Sequence, residues 1–195
     1  MPARSVLVTG FGPFETYGVN PSAEVALALA RRPPDGLAVV AGVLPASFER
    51  APRAWDELYA SLEARPELVL ALGVLRAGDR GFRLEARAGP ELACVPRPDV
   101  DGRLPAEFSR AGPVLASAID VEALHRRMIE RGVHEARCSR SAGGYVCERL
   151  YHHVLVRGQE HGFSALFVHV PPLAATPLER QVEVVGLALE ALTSS

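Results

Sequence analysis

Three side chains in this 195-residue sequence are of types that cooperate in acyl transfer: Glu85, Cys147 and His169. A cysteine supplies a thiolate nucleophile, and a histidine takes and returns a proton near neutral pH. A carboxylate behind the ring fixes its tautomer and stabilises its cation. Cys147 closes the stretch Ser141-Ala142-Gly143-Gly144-Tyr145-Val146-Cys147, where a glycine-bearing loop gives way to a helical pattern. At a helix start, unpaired backbone N–H groups and the positive end of the dipole favour a thiolate and can hold an oxyanion. The competing role for Cys147 is packing, because Cys147, Leu150, Tyr151 and Val154 form one helical stripe and free cysteines are commonly buried. His169 interrupts an apolar run near its end, as a core residue with a satisfied ring or as a site residue. Glu85 by itself reads as a solvated acid or as a partner of Arg83 or Arg87. The three lie in separate segments, and the chemistry requires those segments to converge.

Composition removes several rival mechanisms. The sequence contains no lysine, all 21 Lys+Arg residues being arginine, and its one asparagine is Asn20. A P-loop, a Schiff-base lysine and a Ser-Lys dyad are thereby excluded, and a Cys-His-Asn triad would have to recruit Asn20. A net charge of −2 offers no electrostatic footprint for nucleic acid or for an acidic membrane. Three cysteines without a Cys-x-x-Cys pair suggest free thiols in a reducing, cytoplasmic setting, with no metal and no cofactor expected. No apolar run approaches the roughly 20 residues of a membrane helix, and no export signal is expected.

The elements that must position the three residues follow from periodicity. Residues 5–9 form a short β-branched run that breaks at Gly10-Phe11-Gly12-Pro13-Phe14, and Ser22 is positioned to cap a helix over 23–30. Phe11 and Phe14, in a loop after a parallel-type strand, can frame a small ligand or anchor the loop on the core. A second strand is predicted over 37–45 and a helix over 48–63, followed by a fully apolar strand over 68–73. In the glycine- and proline-broken region beyond Arg76, residues 81–87 can form a short strand with Phe82 and Leu84 on one face and Glu85 on the other. A helix over 120–132 is capped by Asp120, with His125 on its surface. A short strand over 136–139 leads to the cysteine loop, and then come a helix from about 145 to 157, an apolar strand over 163–172 and a closing helix over 178–192. His152 and His153 point in different directions on their helix, which argues against joint metal ligation. Alternating strands and helices without a repeat predict one domain over residues 1–195, a three-layer α/β/α sandwich around a largely parallel sheet.

Taken together, these segments resemble the pyroglutamyl peptidase I family of cysteine peptidases. Val8-Thr9-Gly10-Phe11-Gly12-Pro13-Phe14 with Asn20-Pro21-Ser22 resembles that family's opening signature, and Leu44-Pro45-Ala46-Ser47-Phe48 its next block. Gly73 through Glu85, Pro98-Asp99-Val100-Asp101-Gly102, Ser141 through Cys147, and Phe167-Val168-His169-Val170-Pro171 are similar to the later blocks, in the same order. The resemblance implies removal of an N-terminal pyroglutamyl residue from peptides, with Cys147 as nucleophile, His169 as acid and base, and Glu85 orienting the ring. It also implies a mixed-sheet sandwich like that of nucleoside phosphorylases, assembly as a homo-oligomer (tetramer or dimer), and no metal. By the same resemblance Phe11 and Phe14 hold the lactam ring, with Asn20 and Val74 beside the substrate. Departures from the family pattern fall at Val74, Pro96, Arg140 and Glu148, with Arg97 or Arg87 near a missing arginine. These departures allow a second reading, a member that binds a lactam or peptide terminus without turning it over.

Overall fold

The computed structural model describes residues 3–14, 18–93 and 96–193. Three continuous apolar runs form strands buried on both faces: β1 (Arg4–Phe11), β3 (Leu68–Val74) and β8 (Ser164–Val170). They are extended by β2 (Leu37–Leu44), whose alternating burial marks an edge strand, and by the short strands β4 (Phe82–Glu85) and β7 (Ala136–Ser139). The sheet order is β2-β1-β3-β8-β4-β7, parallel throughout except where β4 lies antiparallel against β8. The remaining pair, β5 (Arg87–Ala88) and β6 (Leu115–Ala116), makes a separate small ribbon.

Helices cover both faces. On one side α1 (Pro21–Arg31), α3 (Val121–Glu130) and α5 (Leu178–Thr193) bury Val25, Leu29, Leu124, Met128 and Leu189 against Leu70, Leu72 and Val168. On the other, α2 (Arg50–Ser61) and α4 (Val146–His161) bury Trp55, Tyr151 and Val154 against Val69, Ala165 and Phe167. Each such side chain contributes about 1.5–3 kcal/mol by leaving water, so the two cores fix the three layers. The mixed, largely parallel α/β/α sandwich is the one expected.

Strand β1 continues through Gly10 to Phe11 instead of breaking at Gly10, and three helix ends differ from the expectation for local reasons. The cap of α1 is Asn20 rather than Ser22: its side chain accepts from Ser22 N, and Pro21, with its fixed φ, begins the helix two residues earlier. Phe48 precedes α2 instead of opening it, because Ser47 Oγ accepts from Arg50 N. Helix α4 runs on past Arg157 to His161 and stops at Gly162. Asp120 does cap α3, accepting from Ala123 N at 2.9 Å.

Register sets the stage for the site. β1, β3 and β8 run in the same direction, so their carboxyl ends share one sheet edge. There His169 on β8 lies opposite Gly73 on β3 and opposite Arg83 on β4, while Glu85 is paired with Phe167 two residues deeper.

Candidate active site

The antiparallel β4 is what brings a carboxylate to the histidine. Arg83 and Glu85 alternate onto the same face as Phe167 and His169, and Glu85 is a diagonal cross-strand neighbour of His169. Its Oε1 lies 2.8 Å from His169 Nδ1, with Glu85 fully buried and His169 7% exposed. The reading of Glu85 as a solvated acid or an arginine partner is therefore corrected: Arg83 pairs with Asp79, and Arg87 donates to the Arg140 carbonyl. Tyr151 OH, from α4, donates to the Glu85 backbone carbonyl and pins this end of the strand.

Cys147, half-buried in the first turn of α4, brings its Sγ against Gly73, the register partner of His169, and both side chains line one cavity. Since Nδ1 faces Glu85, the ring nitrogen left for the sulfur is Nε2. The approach depends on Gly73, because a Cβ there would lie 2.9 Å from Cys147 Sγ and 2.9 Å from the ring of fully buried Phe167. Burial alone would push the His169 pKa down. The hydrogen bond and charge of Cys147, followed by those of Glu85, outweigh it and push the value up to about 9. A histidine that holds its proton beside a thiol is an arrangement suited to a sulfur nucleophile.

The loop before the cysteine is held from below by Glu148. This buried carboxylate accepts from Gly89 N at 2.8 Å, Ser141 Oγ at 3.1 Å and Gly144 N at 3.2 Å. It ties the cysteine loop to the segment after β5 and to the helix start, where an acid also suits the dipole. Gly144 adopts φ +65°, and a Cβ there would meet Ala93 at 2.8 Å, so the loop closes only with glycine at that position. The departure at Glu148 thus supplies its own loop-fastening network.

A cavity of about 1020 Å³ opens above these residues, and all four expected ligand-side residues, Phe11, Phe14, Asn20 and Val74, line it with Cys147 and His169. The Asn20 amide is committed to the loop: Nδ2 donates to the Gly12 carbonyl, and Oδ1 accepts from Ser22 N and Ser22 Oγ. Asn20 therefore shapes the wall through its neighbours. Tyr145 and Arg83 are among the lining residues that were not singled out for ligand contact by the sequence. Tyr145 packs 5.9 Å from Phe14 and 5.0 Å from Phe48, and the Arg97 guanidinium lies over the Phe14 and Tyr145 rings at 5.2 and 4.9 Å. Arg97 therefore stands in the cavity, whereas Arg87 points away to Arg140. The 98–102 block is structural, with Asp99 accepting from Phe48 N, Asp101 N and Arg103 N. The signal for Tyr145 was its place two residues before the cysteine, and that for Arg83 was its shared face with Glu85.

Among the described residues, one group has donor spacing suited to a metal: Glu122, His125 and Cys138, with ligand atoms within 4.8 Å of one another. None of these residues lines the cavity beside Cys147 and His169. His125 is half-buried rather than on the surface, with Nε2 2.8 Å from the Ala136 carbonyl. Burial and the neighbouring Glu122 push the Cys138 thiol up to about 11, and Sγ contacts the Val121 carbonyl. These donors are already engaged by the protein. His152 and His153 diverge as expected, His152 toward the Pro113 carbonyl and His153 to Asp56.

Comparison with known proteins gives a consistent set of relatives. A family model described as pyroglutamyl peptidase matches residues 4–193. The chain is 33% identical over 176 residues to pyrrolidone-carboxylate peptidase 1 of Ralstonia nicotianae, covering 88% of this chain and 80% of that one. It is 36% identical over 172 residues to the pyrrolidone-carboxylate peptidase of Chromobacterium violaceum, covering 86% and 78%. The crystal structure of pyrrolidone carboxyl peptidase from Fervidobacterium islandicum superposes with a TM-score of 0.85 at 30% identity, over 97% of this chain and 98% of that one. The Thermus thermophilus structure gives 0.80 at 33% identity, over 95% and 99%.

Proposed function

Since the chain belongs to the pyroglutamyl peptidase family, we propose that its Cys147, His169 and Glu85 hydrolyse the bond following an N-terminal pyroglutamyl residue. The observation that carries this reading is the convergence of the three side chains at one sheet edge: Glu85 Oε1 lies 2.8 Å from His169 Nδ1, and Cys147 Sγ sits against Gly73, the register partner of His169. The Cys147 thiolate attacks the exocyclic carbonyl carbon of pyroglutamate, and a tetrahedral oxyanion forms. The Cys147 backbone N–H, in the first helical turn and so without an intrahelical acceptor, is the donor proposed for that charge. The carbon–nitrogen bond breaks as His169 gives its proton to the leaving amine, leaving a pyroglutamyl thioester. A water then loses its proton to His169 and attacks the thioester, releasing pyroglutamate and the thiolate. Glu85 holds Nδ1–H and stabilises the ring cation in both steps.

The neutral five-membered lactam needs flat apolar walls, which Phe11, Phe14 and Tyr145 offer. No helix among the described residues is long and apolar enough to cross a membrane. The free Cys147 thiol supports a reducing, cytoplasmic setting, and the family resemblance supports a homo-oligomer. The direct test is release of an aminocoumarin from its pyroglutamyl amide compared with its prolyl and glutamyl amides. Selective, alkylation-sensitive hydrolysis of the first is expected, and equal rates or insensitivity to alkylation would overturn the reading.

Two further outcomes follow from the geometry. Gly73→Ala places a methyl against Cys147 and immobile Phe167, so the sulfur must shift, and kcat/KM should fall about 100-fold. Steady-state kinetics on a variant with unchanged melting temperature checks this, and a loss under threefold would refute it. The pH profile has a defined sign. His169 is raised from 6.5 to about 9, so its favourable interactions are complete below pH 6.5 and are lost as pH rises through about 9. Turnover should accordingly hold through neutral pH and decline near pH 9; a decline centred on 6.5 would mean that the ring lacks its anionic partners.

A further inference from the structure

The charge lining the cavity is unbalanced: Arg76, Arg83 and Arg97 stand against Asp79, the single acidic side chain of the wall among the described residues. Arg97 is stacked over Phe14 and Tyr145, on the rings assigned to the lactam. Arg83 occupies a different place, directly across the strand from His169. His169 is the group that protonates the leaving nitrogen, so whatever is attached to that nitrogen passes beside Arg83.

Arg83 is also incompletely satisfied. Its Nη2 donates to Asp79 Oδ2 at 3.0 Å, but its Nε is buried with no acceptor. That Nε is enclosed by the protein, but the Arg83 side chain as a whole is 29% exposed and lines the cavity, so the outer edge of its guanidinium is open to a ligand oxygen. A neutral carbonyl would accept a single hydrogen bond from that edge. A carboxylate offers two oxygens to the planar guanidinium and also answers the excess positive charge that Arg76 adds at the exposed rim.

Building on the peptidase reading above, we propose that Arg83, assisted by Arg76, forms a carboxylate subsite for the residue that follows pyroglutamate. The carboxylate is either that residue's acidic side chain or, in a dipeptide, its free α-carboxylate. Arg83 thereby sets leaving-group specificity, while Asp79 tempers it by sharing the guanidinium.

The test compares kcat/KM within two isosteric pairs: pyroglutamyl-glutamate amide against pyroglutamyl-glutamine amide, and pyroglutamyl-alanine against its amide. The first pair reports a side-chain carboxylate and the second an α-carboxylate. At least one acidic member should exceed its neutral partner roughly tenfold at low salt, the scale of a charge-assisted hydrogen bond, and the ratio should shrink at high salt. Arg83→Gln should bring that ratio close to one, Arg83→Lys should retain part of it, and Asp79→Asn should raise it. Ratios near one for both pairs in the unaltered enzyme, or a ratio unmoved by Arg83→Gln, would overturn the subsite, provided that the neutral aminocoumarin reporter is still cleaved. If that reporter is not cleaved, the peptidase reading fails and the subsite fails with it. Because each readout is a ratio within one variant, partial loss of folded protein cancels.

Discussion

Cys147→Ser should lower hydrolysis of a pyroglutamyl amide by at least about 10⁴-fold with little change in melting temperature. The substitution exchanges one atom in a half-buried first helical turn and leaves the 141–144 loop fastened by Glu148. A serine hydroxyl replaces the sulfur, so His169 loses the neighbour that contributes most to raising it. In the variant the ring should therefore titrate well below about 9, as followed by the imidazole proton resonances. Two losses coincide, in the intrinsic nucleophile and in the pairing with His169 that readies it. Serine retaining a tenth of the activity would mean that the sulfur does not form the bond.

Glu85→Gln should cost about 10²–10⁴-fold in kcat with KM much less affected. The volume is conserved and Tyr151 continues to donate to the residue 85 carbonyl, so the strand end stays in place. What changes is the charge behind Nδ1 and the tautomer it enforces. The amide can turn its NH₂ toward the ring, and either orientation removes the negative partner of the imidazolium. The alkaline limb of the pH profile should move down from about 9 in the same variant. A merely structural carboxylate would lower the melting temperature and leave that limb unmoved.

How much of this was legible in the sequence depends on the range of the interactions concerned. The central strands could be read because residues 68–73 and 163–170 are apolar on both faces, which in a chain of this size implies a covered parallel sheet. Helix α3 was legible because Asp120 and its early acids and late arginines are local signals. The grouping of Glu85, Cys147 and His169 came from residue types in ordered blocks, each ordinary alone. The antiparallel entry of β4 was not legible, since a strand as short as Phe82–Glu85 carries no information about its partner's direction. That orientation decides the identity of the neighbours of His169: Glu85 behind its ring and Arg83 beside it. Gly73 likewise read as the end of a strand, and only the approach of Cys147 shows why a side chain is excluded there. Glu148 stood out as a departure from the family pattern. Its bonds to Ser141 and Gly144 are local, but the one to Gly89 spans 59 residues of sequence and emerges only from the fold.

The central claim is covalent catalysis by Cys147, and the intermediate can be looked for directly. A pyroglutamyl ester or activated amide is mixed with the enzyme, quenched in acid and digested, and the peptides are weighed. The predicted result is a transient mass increase of one pyroglutamyl group on the peptide containing Cys147, absent after alkylation and decaying as free pyroglutamate appears. Full-rate hydrolysis with no adduct on that peptide, under conditions that trap a thioester, would contradict the account.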